Sequence, residues 1–218
     1  MTVTGSGNVT SETRPLADWT AVALACPGTL DLQIGPNQGI TIEAEDNILP
    51  LIETRVDGGG LQIRFQPAAQ SIRPTQPIRF RAATPAIDGL AVSGSGSIHA
   101  PAIEGATLTL GTSGSGSIDV ASASTGALDA RISGSGSVTV RGDTRDCDVR
   151  VSGSGDLNAR DLACHRAHVN VSGSGSVMLR VEREIEGRIS GSGSIVYSGQ
   201  PVTSIRTSGS GRAVQMPG

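Results

Sequence analysis

The sequence has few of the residues that a wide globular core or a nucleic-acid surface requires. Aromatic residues make up 2% of the 218 positions, charged residues make up 17%, and lysine does not occur. A core made mainly of Val, Ile, Leu and Ala must be thin, because large side chains are needed to fill a broad interior. The formal net charge is -3. Nucleic-acid binding is therefore not expected, since it calls for a basic excess with aromatic stacking platforms.

Cysteine and long hydrophobic runs are also scarce. Three cysteines do not make the even set of a disulfide framework. Cys147 and Cys164 could meet on adjacent coils of a repeat, but they lie at different offsets from the repeated motif, so we do not favour a bridge. No run approaches the ~20 apolar residues of a transmembrane helix. The sequence contains neither a Gly-x-Ser-x-Gly elbow nor a P-loop lysine, so we predict no catalytic residue and no cofactor.

Glycine is abundant, with 30 residues, and much of it lies in a repeated Ser-Gly-Ser-Gly motif. Residues three and one before the motif, and five and seven after its first serine, are mostly aliphatic, as with Val149 and Val151, then Leu157 and Ala159. This period-two pattern indicates two short strands per repeat with one buried face. The motif recurs every 18 to 20 residues and begins at Ser93, Ser113, Ser133, Ser152, Ser172, Ser190 and Ser208.

A period near twenty is too short for a propeller blade and lacks the helices of ankyrin-like repeats. Stacked coils of an all-β parallel β-helix, or β-solenoid, remain. The motif is expected to bend the chain, with glycines in positive-φ or crowded positions and serines in ladders along the axis. Asp156 interrupts one serine column, which suggests that this column faces water. The glycines given this structural role are Gly94, Gly96, Gly114, Gly116, Gly134, Gly136, Gly153, Gly155, Gly173, Gly175, Gly191 and Gly193.

The first part of the chain is less regular. We predict a β region over residues 1–90, which caps the solenoid or begins it with longer coils, and the regular solenoid over 91–218. A turn is expected at Asp57–Gly60, a short helix within Asp46–Arg55, and a loop or edge over the proline-rich Pro67–Pro77. The strand candidates are Ala21–Leu24, Leu30–Ile34, Ile40–Ala44, Leu61–Phe65 and Ile78–Arg81.

Several segments in order resemble the bacterial GIN-domain family, the auto-transporter adhesin head domain. They are Thr4–Val9, the acidic segment Glu43–Pro50, Ile52–Thr54, and the repeated Val-Ser-Gly-Ser-Gly. The resemblance implies a right-handed β-helix in an exported protein of the bacterial periplasm or outer surface. It supplies no catalytic residues. Because no export leader precedes these segments, we expect a trimmed mature chain with an added Met.

Arginines share the position two residues before the motif in several coils, and stacking would place them in one polar stripe. Such a stripe could contact an acidic glycan or an envelope protein. The simpler alternative, which we favour from sequence alone, is that arginine keeps a β face soluble and discourages edge pairing. The candidate binding residues are Arg131, Arg150, Asn170, Arg188 and Arg206.

A second cluster is Cys164, His165 and His168, three potential metal ligands within five residues. We interpret this segment as an exposed loop between coils and predict no metal site. The favoured function is noncatalytic, adhesin-like surface recognition. Two alternatives stay open: a structural envelope protein that self-assembles as a homo-oligomer, and a polysaccharide-acting β-helix enzyme, for which coils this short leave little room for a cleft.

Overall fold

The computed structural model describes residues 2–67 and 71–217. In this part, the only helix is a single 3₁₀ turn, Leu49–Leu51, and no helix is long and apolar enough to cross a membrane. The strands of the N-terminal region are β1 Thr2–Thr4, β2 Val9–Arg14, β3 Ala21–Ala25, β4 Thr29–Ile34, β5 Gly39–Glu45, β6 Ile52–Asp57, β7 Gly60–Phe65, β8 Ser71–Arg73 and β9 Arg79–Thr84. Those of the repeat region are β10 Gly89–Gly94, β11 Ser97–Gly114, β12 Ser117–Gly134, β13 Ser137–Gly153, β14 Asp156–Gly173, β15 Ser176–Gly191, β16 Ser194–Ser198, β17 Val202–Ser208 and β18 Arg212–Gln215.

The repeat region is a parallel β-solenoid, which confirms the predicted fold class. Strands β10 to β15 pair in parallel with motif on motif, so that Ser113 lies opposite Ser133 and Ser133 opposite Ser152. The molecule makes about six turns. Adjacent coils are separated by one strand spacing, about 4.8 Å. A side chain therefore repeats along the axis as a column, one residue from each coil.

Each regular coil has three paired segments rather than the two expected. In β11 they are Ser97–Ala100, Ala102–Gly105 and Thr107–Gly114, separated by unpaired corner residues. The middle segment was missed because its buried column mixes aliphatic and polar residues. Thr125 and Thr144 are both buried there, and their hydroxyls hydrogen bond across the coils at 3.1 Å. Such a column lacks the aliphatic alternation that marks the other two segments.

The Ser-Gly-Ser-Gly motif forms a corner, as predicted. Its first glycine has a positive φ, 101° at Gly134, which disfavours any residue with a Cβ. Its second glycine is buried, and a Cβ on Gly136 would lie 2.7 Å from the carbonyl oxygen of Gly116 in the preceding coil. The serines of the motif face outward, and in the half-buried column of residues that follow the motif Ser117 donates to Ser97 at 3.0 Å. The serine columns therefore lie on the surface.

The N-terminal region continues the same sheet and then closes it. Strand β10 pairs with β3 and β3 with β7, while β11 pairs with β4 and β4 with β9, all in parallel. Antiparallel strands β6, β5 and β2 follow at the outside. The division into residues 1–90 and 91–218 stays a prediction. Near this boundary the regular coils are replaced by irregular ones, and the sheet is continuous across it.

One expectation for this region is corrected. The predicted helix within Asp46–Arg55 is reduced to the turn at Leu49–Leu51, after which the chain enters β6. The β6 residues alternate and pair antiparallel with β7 through a tight turn, Asp57 opposite Gly60, so sheet pairing prevails over helix formation. In the stretch Pro67–Pro77, residues 68–70 lie outside the described residues, and β8 pairs in parallel with β1.

A buried carboxylate ties the N-terminal arm to the rest of the fold. Glu45 is 1% exposed and accepts hydrogen bonds from the Gly7 amide at 2.8 Å, the Thr75 amide at 2.9 Å and the Thr75 hydroxyl. Next to it, Asn47 accepts from the Ser6 amide at 3.0 Å and donates to the Thr4 carbonyl at 2.8 Å. The two segments that carried much of the family resemblance therefore contact each other directly.

Cys147 and Cys164 form a disulfide, so the expectation that they would not pair was wrong. Their Cα atoms are 6.4 Å apart on adjacent coils, and both side chains are buried. Cys147 lies in the third segment of its coil and Cys164 in the second segment of the next, so the bond crosses an interior corner. Different offsets from the motif are what a diagonal link of this kind requires. Cys26 is free and buried, and burial raises the pKa of its thiol to about 12.

Candidate recognition surface

The predicted arginine stripe is one continuous column on the surface. Arg131 lies opposite Arg150, Arg150 opposite Asn170, Asn170 opposite Arg188, and Arg188 opposite Arg206. The four arginines are exposed and Asn170 is half-buried. We call these five residues the guanidinium column. Strand alternation holds it outward, because the residues on either side of each member face the interior.

A second column of ionisable residues runs beside the first, and sequence reasoning missed it. Its members lie two residues earlier in each coil and so share the same outward face. The sequence signal was present, since an acid precedes the arginine by two positions in three coils. We call this the carboxylate column, and it consists of Asp129, Asp148, His168 and Glu186.

At the N-terminal end of the two columns, the arginines and aspartates neutralise each other. Arg131 contacts Asp129 at 2.7 Å, and Arg150 contacts Asp148 at 2.8 Å and Asp129 at 4.0 Å. Asp129 and Asp148 are stacked in register, an arrangement of like charges that is unfavourable on neighbouring strands. One oxygen of each carboxylate is enclosed without a hydrogen bond from the described residues. The main interaction of Arg131 and Arg150 is therefore the ion pairing with these aspartates.

The C-terminal end of the guanidinium column differs. Among residues 2–67 and 71–217, no carboxylate lies within 4.0 Å of a guanidinium nitrogen of Arg188 or Arg206. Glu186, which precedes Arg188, instead faces His168 at 3.8 Å, and Ser204 precedes Arg206. Asn170 is hydrogen bonded to His168 at 2.9 Å. Two adjacent coils thus present guanidinium groups that are free to pair with another molecule.

A groove of about 710 Å³ runs alongside, between the carboxylate column and the next outward column. That outer column includes Asp146, Arg166 and Glu184. Asp146 pairs with Arg145 at 3.0 Å and with Arg166 at 2.7 Å. The hydrogen bond from Arg145, together with the charge of Arg166, lowers the pKa of the Asp146 carboxyl despite partial desolvation. Charges of both signs line the groove, and many are matched within the protein.

The possible metal-ligand cluster is divided by the strand. The segment Cys164–His168 is part of β14, not a loop between coils. Cys164 faces the interior and is in the disulfide, whereas His165 and His168 face solvent, near Glu182 at 3.5 Å and Glu186 at 3.8 Å. In the part of the chain that the structure describes, no group of three or more His, Cys, Asp or Glu side chains is placed to hold a metal ion.

Fold and surface together define a parallel β-solenoid with one face of paired charged columns. The chain belongs to the family described as "Putative auto-transporter adhesin, head GIN domain", whose model matches residues 18–201. This confirms the resemblance. A search of curated proteins finds no match to the sequence.

Solved structures show the same fold. A "putative adhesin" from Bacteroides fragilis superposes with a TM-score of 0.92 at 19% identity, covering 98% of this chain and 100% of that one. A "putative lipid binding protein" from Parabacteroides distasonis gives 0.79 at 22% identity, covering 99% and 100%. A "putative adhesin" from Parabacteroides merdae gives 0.77 at 17% identity, covering 99% of each.

Proposed function

We propose that this protein is a noncatalytic, adhesin-like recognition protein of the bacterial envelope or cell exterior, and that it binds an acidic glycan. The single observation that carries the proposal is the exposed pair Arg188 and Arg206, stacked in adjacent coils without an ion-pair partner among the described residues. The two arginines lie on strands about 4.8 Å apart, so their guanidinium groups can pair with a polymer that presents closely spaced carboxylates or sulfates.

The location rests on two supports. The family description concerns adhesins, which act outside the cytoplasm. The Cys147–Cys164 disulfide links two coils inside the solenoid, and structural disulfides persist mainly in oxidising compartments such as the periplasm or the cell exterior. An exported protein accounts for both.

The two pairs of arginines give a matched test. Arg188→Ser with Arg206→Ser should lower affinity for arrayed acidic glycans on the order of 100-fold, since each lost charge-assisted contact is worth about a factor of ten or more. Arg131→Ser with Arg150→Ser is the control, because those guanidinium groups are engaged by Asp129 and Asp148. Equal losses in both variants, or no glycan binding by the wild type, would contradict the proposal.

Self-assembly of rods end to end is a weaker alternative. In the last coil, three inward positions that carry Ile or Tyr in the preceding coil are filled by the polar residues Thr203, Thr207 and Gln215, and a fourth, occupied by Ile195 in the preceding coil, by the smaller Ala213. Gln215 also donates to the Gly199 carbonyl at 2.8 Å within the same chain. Polar inward positions on a terminal coil are typical of a cap and disfavour stacking of another coil. An enzymatic role gains no comparable support, since Asp129 and Asp148 are already paired with arginines.

A further inference from the structure

A different face of the solenoid, across the Ser-Gly-Ser-Gly corner, changes character along its length. One outward column there begins with polar residues, His99, Asp119, Thr139 and Asn158. The same column then continues as Met178, Val196 and Val214. Inward and outward positions alternate along these strands as they do in the earlier coils. Three successive coils therefore present apolar side chains on the outside, where earlier coils present polar ones.

The C-terminal end of this apolar segment is exposed, and Met178 and Val196 are half-buried. Val214 is 38% exposed, and Met216, which follows the end of β18, is 42% exposed. Beside them is a cavity of about 450 Å³. Exposed apolar patches on soluble domains commonly mark interaction sites. The cavity is lined in part by Arg160, Met178, Arg180, Val196, Met216 and Pro217.

Three arginines surround the patch. Arg212 precedes Val214 by two residues on the same face, while Arg160 and Arg180 line the cavity on the other side. All three are exposed, and none has a carboxylate within 4.0 Å among the described residues. Arg160 lies over Met178, with its Nη2 atom 3.3 Å from the Met178 sulfur. By contrast, Arg141 in the polar part of this face is paired with Asp119 at 2.8 Å.

We propose that this patch, Met178, Val196, Val214 and Met216 with Arg160, Arg180 and Arg212, docks the protein reversibly on a lipid bilayer that carries anionic headgroups. Aliphatic side chains enter the boundary between headgroups and acyl chains, and the flanking guanidinium groups pair with lipid phosphates. Charge complementarity selects this occupant. A second copy of the chain packed face to face would bring six unpaired guanidinium groups together, whereas an anionic bilayer neutralises them.

The test is co-sedimentation of the full chain with vesicles of phosphatidylcholine mixed with phosphatidylglycerol, compared with phosphatidylcholine alone. The wild type should bind the anionic vesicles, and binding should fall at high ionic strength. Replacing Arg160, Arg180 and Arg212 together by Ser should lower the partition coefficient on the order of 100-fold, because each basic residue near an anionic surface contributes about fivefold. Val196→Thr with Val214→Thr should lower it about tenfold by reducing apolar contact.

The controls separate this patch from general effects of charge or hydrophobicity. Arg141→Ser removes an arginine that is already paired on the same face, and Val9→Thr removes an exposed valine, 53% exposed, at the other end of the molecule. Both should bind vesicles as the wild type does. Failure of the wild type to bind anionic vesicles would overturn the proposal, and so would equal binding by the arginine variant. Dimerisation seen by sedimentation and lost in the Val196→Thr, Val214→Thr variant would overturn it in favour of a second copy.

Discussion

The repeat region and the N-terminal region belong to one sheet but are stabilised in different ways. In the repeat region each coil lies on a near copy of itself, and small aliphatic residues such as Val149 and Val169 form the interior. The N-terminal region instead buries the larger Trp19 and Phe80 and pairs several strands antiparallel. The first region depends on one contact repeated many times, and the second on individual contacts that occur once.

This difference has a physical consequence. In a stack, a substitution that pushes two coils apart disturbs the hydrogen bonds and packing on both sides of the altered coil, because each coil contacts its neighbours through equivalent residues. In the N-terminal region, strain at one turn is confined to that turn. The same substitution should therefore change the free energy of unfolding by different amounts in the two regions.

Glycine provides the strongest contrast. Gly136→Ala should destabilise the protein by about 3 kcal/mol, because its Cβ would lie 2.7 Å from the Gly116 carbonyl oxygen and coils cannot separate without losing their ladder. Gly58→Ala in the β6–β7 turn should cost only about 1 kcal/mol, since its φ is +56° but no atom lies within 4 Å of the added carbon. Urea unfolding measures both changes.

Gly105→Ala is the control within the repeat region, because the nearest atom to its added carbon is 3.9 Å away. We expect no measurable loss there. If Gly105→Ala and Gly136→Ala were equally destabilising, the close contact between coils at Gly136 would not account for its sensitivity, and the proposed contrast between the regions would be lost.

The sequence predicted the parallel solenoid because the repeated contact leaves a repeated trace. Val149 and Val151 before the motif, then Leu157 after it, mark positions that stacking buries in every coil. The middle segment was missed because its buried column mixes polar residues such as Thr144 with aliphatic ones, and β6 was missed because Ile52 gains its partner, Phe65, only when the next strand folds back on it. Local patterns do not encode such pairings.

The candidate recognition surface was only half predicted for the same reason. Arg131 and Arg150 were found by their shared offset from the motif. Their pairing with Asp129 and Asp148 was not anticipated, although the acids share an offset too. A sequence alignment of coils gives the columns, but the distances between columns decide which arginines are neutralised within the protein and which are free.

The disulfide adds a covalent link to the repetitive region, and its removal should have the next largest effect. Reduction of Cys147–Cys164 should lower the free energy of unfolding by about 2–3 kcal/mol, as expected for a loop closed over a sequence separation of 17. The measurement is urea unfolding with and without a reducing agent. The double variant Cys147→Ala, Cys164→Ala should no longer respond to the reducing agent.

Cys26→Ala is the matched control, because this free cysteine is buried in the N-terminal region and forms no cross-link. Its response to reduction should equal that of the wild type. A wild type whose stability does not change on reduction would show that stacking alone holds these coils together, which would make the two regions differ more sharply than we propose.

The smallest effect at neutral pH, and the most local, concerns Glu45 in the N-terminal region. Burial opposes ionisation of this carboxylate, but hydrogen bonds from Thr75, Gly7 and Gln76 outweigh it and lower its pKa. The folded protein therefore holds the charged form more firmly than the unfolded chain, in which the pKa is about 4.3. The resulting stability is fully present above that pH and is lost as the pH falls through the lowered pKa of the folded state.

Hydrogen exchange should then show that the amides of Gly7 and Thr75 open at a higher pH during acidification than the amide of Ser115, which donates to the Gly94 carbonyl in the repeat region. Glu45→Gln cannot ionise and should remove the dependence. Simultaneous opening of all three amides would mean that the arm and the solenoid unfold as one unit.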